Sequence, residues 1–485
     1  MANEALAAIV GRSNLLTDRE ARVEYSFDSD VSPPVIPGCV AKPANADEVA
    51  RIVTWANATS TPLVPVSSGP PHGRGDTVPG THEAVMVSLD RMKRIIRIDP
   101  RNRIAMVEPG VTFGELQAAL AANGLCAYLP LGPRSTKSVI GSMLEREPIT
   151  RPSLHWDSTD PLLCTEVVFG TGDRFRTGEA SGPETIEEQW ELGRVQMNPF
   201  GHSHVDFHRL LSGAQGTIGI VTWATLKCSP LPVSRKVVVV PSSSLSSLID
   251  LTYSLVKFRF GGSLFILNGL NLACLISKER GDVKEIAQGL PAWVLVVTFE
   301  GYGILPQEKV AREEDDFRSM ARACGLDGET MLPEAQAAEL LLALSRPSEP
   351  HWKTRAAGGF RDLFFLTTLD KTPAFAASIG DLAGKRDYPS NHIGAYIQPI
   401  VQGTSCHCEF DFYFDAGIDD EAQAAEGIVR EGAEAAAWLG GFFSRPYLAW
   451  RQTAYRRSPA AVAMQKKIKK IFDPKGILNP GKLCF

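Results

Sequence analysis

Residues 64 to 80 read VPVSSGPPHGRGDTVPG, a connection crowded with glycines and small polar residues. Small residues let successive backbone N–H groups turn toward one point, and such a nest suits a pyrophosphate. Ser67, Ser68, Gly69, His72, Gly73 and Gly75 are its candidate members. The same composition also builds ordinary turns, so this segment alone decides nothing. It is not the dinucleotide fingerprint, because Gly73-Arg74-Gly75 is followed by Gly80, five positions on rather than three. No Walker lysine motif, HExxH or G-x-S-x-G elbow occurs. His202, His204 and His208 form an H-x-H-x3-H array able to hold a metal, or polar residues in a connection leading into a strand. The second reading is preferred. Cys406-His407-Cys408 also offers soft ligands, but strand alternation puts both thiols on one face and His407 on the other. No metal site is expected.

These residues need elements to hold them. Asn45 with Glu48, and Thr112 with Glu115, resemble capping boxes ahead of helical apolar spacing, and Gly124 stops the second helix. Strand-like runs cover 63–66, 85–89, 95–98, 104–107, 164–169 and 218–226. Composition changes at Pro230-Leu231-Pro232, beyond which 236–240, 293–299, 364–367, 392–400 and 408–414 look like strands. Helical stretches at 307–324 and 421–439 separate some of them, and a short basic helix at 465–471 precedes DPKGILNPGK. The pattern predicts an α+β protein of two packed domains.

Composition bounds the function. With 50 Lys+Arg against 55 Asp+Glu the formal charge is −5, and no basic block offers a footprint for nucleic acid. Apolar runs such as 293–299 fall far short of a membrane span. The opening MANEALAAIVGRSNLL lacks the parts of a signal peptide. Nine scattered cysteines, an odd number, suit reduced thiols in a cytoplasm and lack the close spacing of an iron–sulfur site.

Four segments occur in a set order: the nest, SVIGSMLER at 138–146 with EVVFGTGDRFRT at 166–177, GAQGTIGIVT at 213–222, and DPKGILNPGK at 473–482. Together they resemble the vanillyl-alcohol oxidase and 4-cresol dehydrogenase family, whose FAD-binding domain is of the PCMH (p-cresol methylhydroxylase) type. The resemblance covers most of 20–232 and 350–485, and leaves 240–350 unplaced. It implies an FAD-binding domain over 1–232, in two α+β subdomains of about 20–110 and 111–232, by the two-layer logic of such domains. An α+β cap domain would follow over 233–440, with 441–485 returning to the FAD domain.

The resemblance also implies roles. The nest would cradle the FAD pyrophosphate; Ser138, Ile140, Gly141, Ser142, Gly216, Gly219 and Val221 would line the flavin's path; Asn479 and Lys482 would close on it from the tail. Glu145 falls near flavin N5, where a carboxylate can take a hydroxyl proton as hydride leaves carbon; the alternative is a surface ion pair with Arg146. Arg445 in GGFFSRPY would face a substrate anion. His407 falls at the histidine that tethers the flavin 8α carbon, so covalent FAD and a satisfied core histidine both stay open.

Departures matter too. The family's phenolate-binding tyrosines are not evident: His72 or Arg74 stands at one position and Ser444 at the other. A retained cation without hydroxyl donors favours a carboxylate or similarly anionic group. The E-H-G-I-G and H-x-G-D-G-x-x-H patterns of the 2-hydroxy-acid branch are absent. The expected activity is an FAD-dependent dehydrogenase or oxidase moving hydride from a C–H next to oxygen. Alternatives are a D-2-hydroxy-acid dehydrogenase of the same fold, or a flavin-bearing electron-transfer subunit with little chemistry of its own. The expected partners are a small-molecule substrate, an external acceptor (oxygen, quinone or a redox protein) and a second copy in a homodimer.

Overall fold

The computed structural model describes residues 2–28, 34–152, 161–202, 206–326 and 332–485. Three sheets with flanking helices make it a mixed α+β structure, as the sequence predicts.

The first sheet pairs Cys39–Ala41, Val85–Ser88 and Leu63–Val66 in parallel, with Leu15–Leu16 antiparallel at one edge. Parallel strands need a crossover, and the helix Ala46–Thr59 supplies the one from Cys39–Ala41 to Leu63–Val66, on either side of Val85–Ser88, burying Val49, Ile52, Val53 and Ala56. Asn45 accepts the Glu48 N–H at 2.9 Å, but Glu48 returns its carboxylate to the Ala44 N–H rather than to Asn45. That capping box is half closed. The one at Thr112 and Glu115 is complete and opens the helix Phe113–Ala121.

The second sheet runs Ile95–Asp99, Ile104–Val107, Gly219–Pro230, Leu162–Phe169, Arg174–Arg176, with Leu125–Ala127 also paired to Gly219–Pro230. The helices Phe113–Ala121 and Val139–Leu144 pack on it through Leu116, Leu120, Val139, Ile140 and Met143.

The third sheet is antiparallel throughout, in the order Ser234–Ser242, Trp293–Gly301, Leu264–Asn268, Ile393–Ile400, Ser405–Asp415, Gly358–Thr367. Helices Ser246–Lys257, Pro306–Ala323, Thr372–Lys385 and Asp419–Trp438 cover one face. Much of the stretch the sequence left unplaced lies here. Leu264–Asn268 is buried along Leu264 to Leu267, so it shows no alternation to mark it as a strand.

Two features tie the tail to the front of the molecule. Leu63 donates its N–H to Ile477 O and Asn479 donates to Leu63 O, both at 2.8 Å, so the tail runs beside the strand that leads into the nest. Lys469 Nζ then bonds Thr217 O at 2.6 Å, and Asp473 Oδ2 and Leu478 O at 2.7 Å. All nine cysteines are free thiols, and among the described residues no helix is long and apolar enough to cross a membrane.

Candidate active site

A cavity of about 630 Å³ lies between the loops of the first two sheets and the third sheet, within the usual size for a cofactor or substrate site. Ser67, Ser68, His72 and Gly73 line it from the nest loop. The N–H groups of Arg74 and Gly75 do converge on an anion, but it is the chain's own Asp28 carboxylate, at 3.1 and 2.8 Å. Gly75 is therefore committed to Asp28 rather than to a ligand. Gly69 is also off the wall; its N–H reaches Thr136 O at 3.4 Å. Burial pushes the His72 imidazole down to about 4, so this ring is neutral at neutral pH.

The helix Val139–Leu144 begins against this loop. Ser138 is buried; its Oγ accepts the Gly141 N–H at 3.0 Å, and its own N–H donates to Ser68 Oγ at 3.1 Å. Ser138 thus builds the wall without lining it, and so does Ser142, whose hydroxyl goes to Glu147. Ile140 and Gly141 do line the cavity. A Cβ at Gly141 would lie 3.1 Å from Ser67 Oγ, so glycine lets helix and loop approach. Gly216, Gly219 and Val221 line the far side. A Cβ at Gly216 would stand 2.5 Å from Pro65 Cγ, at a φ of +67° that also favours glycine.

Asn479 and Lys482 act from behind the wall. Asn479 Nδ2 donates to Asp76 O and Gln215 O, both at 2.8 Å, clasping the nest loop to the 213–221 turn, and its buried Oδ1 has no partner among the described residues. Lys482 is buried, and burial lowers its basicity against the pull of Asp76 and Asp28. A long cleft walled by glycines and small residues, with an orphaned amide oxygen behind it, fits a flavin nucleotide. Ser67, Ser68, His72, Gly73, Ile140, Gly141, Gly216, Gly219 and Val221 are the residues able to hold it.

Charged groups crowd the middle of the cavity. Glu145 lines it, bonded to Lys137 Nζ at 2.7 Å with Arg74 at 3.7 Å. Arg146, the partner weighed for it in sequence, turns away at a φ of 55° and gives its guanidinium to Ser212 O. Burial works against ionisation of Glu147, yet Lys137 and Arg74 hold it down at about 2. Burial and the charge of Glu145 push Asp76 up to about 7.

The cap wall was the least legible part. Antiparallel register sets Asp362 beside Asp411, Phe364 beside Glu409 and Leu366 beside His407. Strand alternation then turns His407, Glu409, Asp411 and Tyr413 to one face and Cys406, Cys408, Phe410, Phe412 and Phe414 to the other. Lys353 Nζ meets Glu409, reaches Asp411 at 2.6 Å and Asp362 at 3.9 Å. Burial pushes Asp411 up, while Asp411 and Glu409 overcome burial to keep Lys353 protonated. The alternation in SCHCEFDFYFD was the available signal for this face. His351 had none: it lines the cavity, stacks on Phe360, and has a buried Nδ1 without a partner among the described residues.

His407, for which a flavin tether and a satisfied core histidine were both open, has the surroundings of the second. The ring is 1% exposed and lies off the cavity wall, with Nε2 bonded to Glu409 at 2.8 Å and Nδ1 to Arg445 at 3.3 Å. Both nitrogens are engaged within the protein. Tyr396 and Tyr447 also line the cavity, from positions other than the two at which the family's tyrosines are expected. Of the metal candidates, His204 lies outside the described residues; among those described, no cluster of three or more ligands forms.

Arg445 lines the cavity and is 4% exposed, with its guanidinium 4.0 Å over the Phe364 ring. Lys353 and Arg445 are the two wall cations buried outright. Lys353 meets three carboxylates; Arg445 has none within ion-pair distance among the described residues.

Comparison with known proteins agrees with this geometry. Residues 37–178 match the FAD binding domain, and residues 401–483 match the C-terminal domain of FAD linked oxidases. The chain is an FAD-linked oxidoreductase and a flavoprotein, with FAD as its cofactor. Its fold is the PCMH type. The crystal structure of p-cresol methylhydroxylase with substrate bound superposes at a TM-score of 0.80 and 19% identity, covering 100% of this chain and 96% of that one. The glycolate oxidase subunit of Bacillus subtilis is 26% identical, over 99% of this chain and 96% of its own length. The flavoprotein subunit of 4-cresol dehydrogenase (hydroxylating) from Pseudomonas putida is 28% identical, over 98% of this chain and 93% of its own length.

Proposed function

We propose that the protein oxidises a small anionic molecule at a C–H bond next to oxygen. The observation that carries this reading is Arg445: a buried guanidinium on the cavity wall with no carboxylate within ion-pair distance among the described residues. A buried cation is costly unless paired, and a substrate carboxylate would supply the missing charge with a bidentate bond. Trp352, Phe360, Tyr396 and Tyr447 line the same cavity and suit an aromatic or apolar body on that anion.

Bound FAD supplies the hydride acceptor. The chain's own part is to hold the anion at Arg445, take the hydroxyl proton at a Glu145 carboxylate oxygen, and keep water out by closing the cap face over the cleft. Lys137 fixes Glu145 through its 2.7 Å bond. The same cation suits a 2-hydroxy acid, the second reading, in line with the glycolate oxidase relative. The electrons then pass to an external acceptor: oxygen, a quinone or a redox protein. Free thiols throughout fit our placement of the protein in the cytoplasm.

The test is an anaerobic panel of aromatic alcohols, phenols and 2-hydroxy acids, followed by bleaching of the flavin's visible band. Bleaching by carboxylated members supports the reading. A protein that no member reduces, but that takes electrons from a partner flavoprotein, is instead an electron-transfer subunit.

A further inference from the structure

We infer that His407 is a positioning residue that aims Arg445 at the substrate anion, an inference that rests on the anion-site reading above. The resemblance left this histidine open between a flavin tether and a satisfied core residue, and nothing in the oxidation described above uses it.

The directions of the hydrogen bonds fix its state. Arg445 carries only donors, so at the 3.3 Å contact from Nη2 the His407 Nδ1 must accept. The ring proton therefore sits on Nε2 and is donated to Glu409 Oε2 at 2.8 Å. Glu409 Oε1 is taken by Lys353, whose ammonium also reaches Asp411 at 2.6 Å. A chain of fixed polarity runs Lys353, Glu409, His407, Arg445. Protonating His407 would leave two donors face to face at Arg445, and burial disfavours that state.

His407 is the one side-chain hydrogen-bond acceptor that Arg445 meets among the described residues. Phe364 supports the guanidinium from its face, and the Trp450 indole N–H fixes the backbone by donating to Arg445 O at 3.0 Å. Stacking leaves a guanidinium free to turn in its own plane, and the bond to Nδ1 removes that freedom. The remaining N–H groups are then presented to the cavity. A carboxylate in the place of His407 would hold Arg445 equally well but would satisfy its charge; a neutral imidazole holds it and leaves the charge for the ligand.

The experiment titrates benzoate into the FAD-loaded protein and reads the perturbation of the flavin spectrum, with FAD content and melting temperature measured alongside. His407→Leu removes the acceptor, and the benzoate Kd is expected to rise about tenfold, the scale of one hydrogen bond to a charged group. His407→Asn returns an amide oxygen near the place of Nδ1, and its Kd is expected within about threefold of wild type. A His407→Leu variant that binds benzoate as wild type does, or a His407→Asn variant with full FAD content that loses about tenfold, overturns the positioning role. Arg445→Met is the control for the underlying reading: unchanged benzoate binding in that variant overturns the anion site itself.

Discussion

Arg74 donates from Nη2 to Asp362 Oδ2 at 2.8 Å, joining the glycine-rich loop of the first sheet to the strand Gly358–Thr367 of the cap. The same guanidinium lies 4.9 Å from the Phe364 ring centroid and 5.3 Å from that of Tyr447. One side chain thus joins the two walls of the cleft. With Asp362, Glu145 and Glu147 around it, its charge is already met, unlike that of Arg445, which we propose for the substrate anion.

Arg74→Met leaves Asp362 and Glu147 short of a cation. Removing one partner from a largely buried pair costs about 3 kcal/mol, read as a lower urea midpoint at unchanged m. Adding Asp362→Leu is expected to recover at least half of the loss. A single variant as stable as wild type contradicts the closure role.

His407 is engaged at both nitrogens, and we propose that FAD is held without a covalent bond through this ring. Acid precipitation is expected to leave all the yellow colour in the supernatant. Colour retained in the pellet, with flavin on a peptide containing His407, contradicts the geometry.

Asp76 gives the stability a pH dependence. Its folded value of about 7 lies above the ordinary 3.8, so between the two the folded chain holds a proton that the unfolded chain has released. Stability from this group falls as pH rises from about 4 to about 7 and is flat above. Asp76→Asn mimics the neutral acid. Urea titrations are expected to show a shallower slope over that window, and a variant more stable than wild type at pH 8. An unchanged slope contradicts the buried acid.

Glu145→Gln keeps the shape and the contact with Lys137 but cannot take a proton. Flavin reduction in anaerobic stopped flow is expected to slow by about a hundredfold. An unchanged rate moves the proton acceptor elsewhere.

What the sequence carried, and what it did not, divides on range. The small-residue loop at 64–80 was legible from composition, and Ser138 and the glycines at 141, 216 and 219 from the motifs that carry the resemblance; their reason, the close approach of Ser67, Pro65 and Val167, comes from the tertiary structure. The Asp28 carboxylate that fills part of the nest was not, since it arrives from 46 residues away. Lys353, Asp362, Glu409 and Asp411 become one cluster only through the register of two cap strands. The tether reading of His407 had the position on the strand but could not see that Arg445 would meet its free nitrogen.

The central claim is that Arg445 receives an anion and that its ligand is then oxidised. The most direct measurement compares an acid that bleaches the flavin with its methyl ester, in wild type and in Arg445→Met, by anaerobic rapid mixing. The account predicts fast reduction by the acid in wild type alone, with slow and similar rates in the other three combinations. An ester that reduces wild type as fast as its acid, or an Arg445→Met variant that does not distinguish itself from wild type, would contradict it.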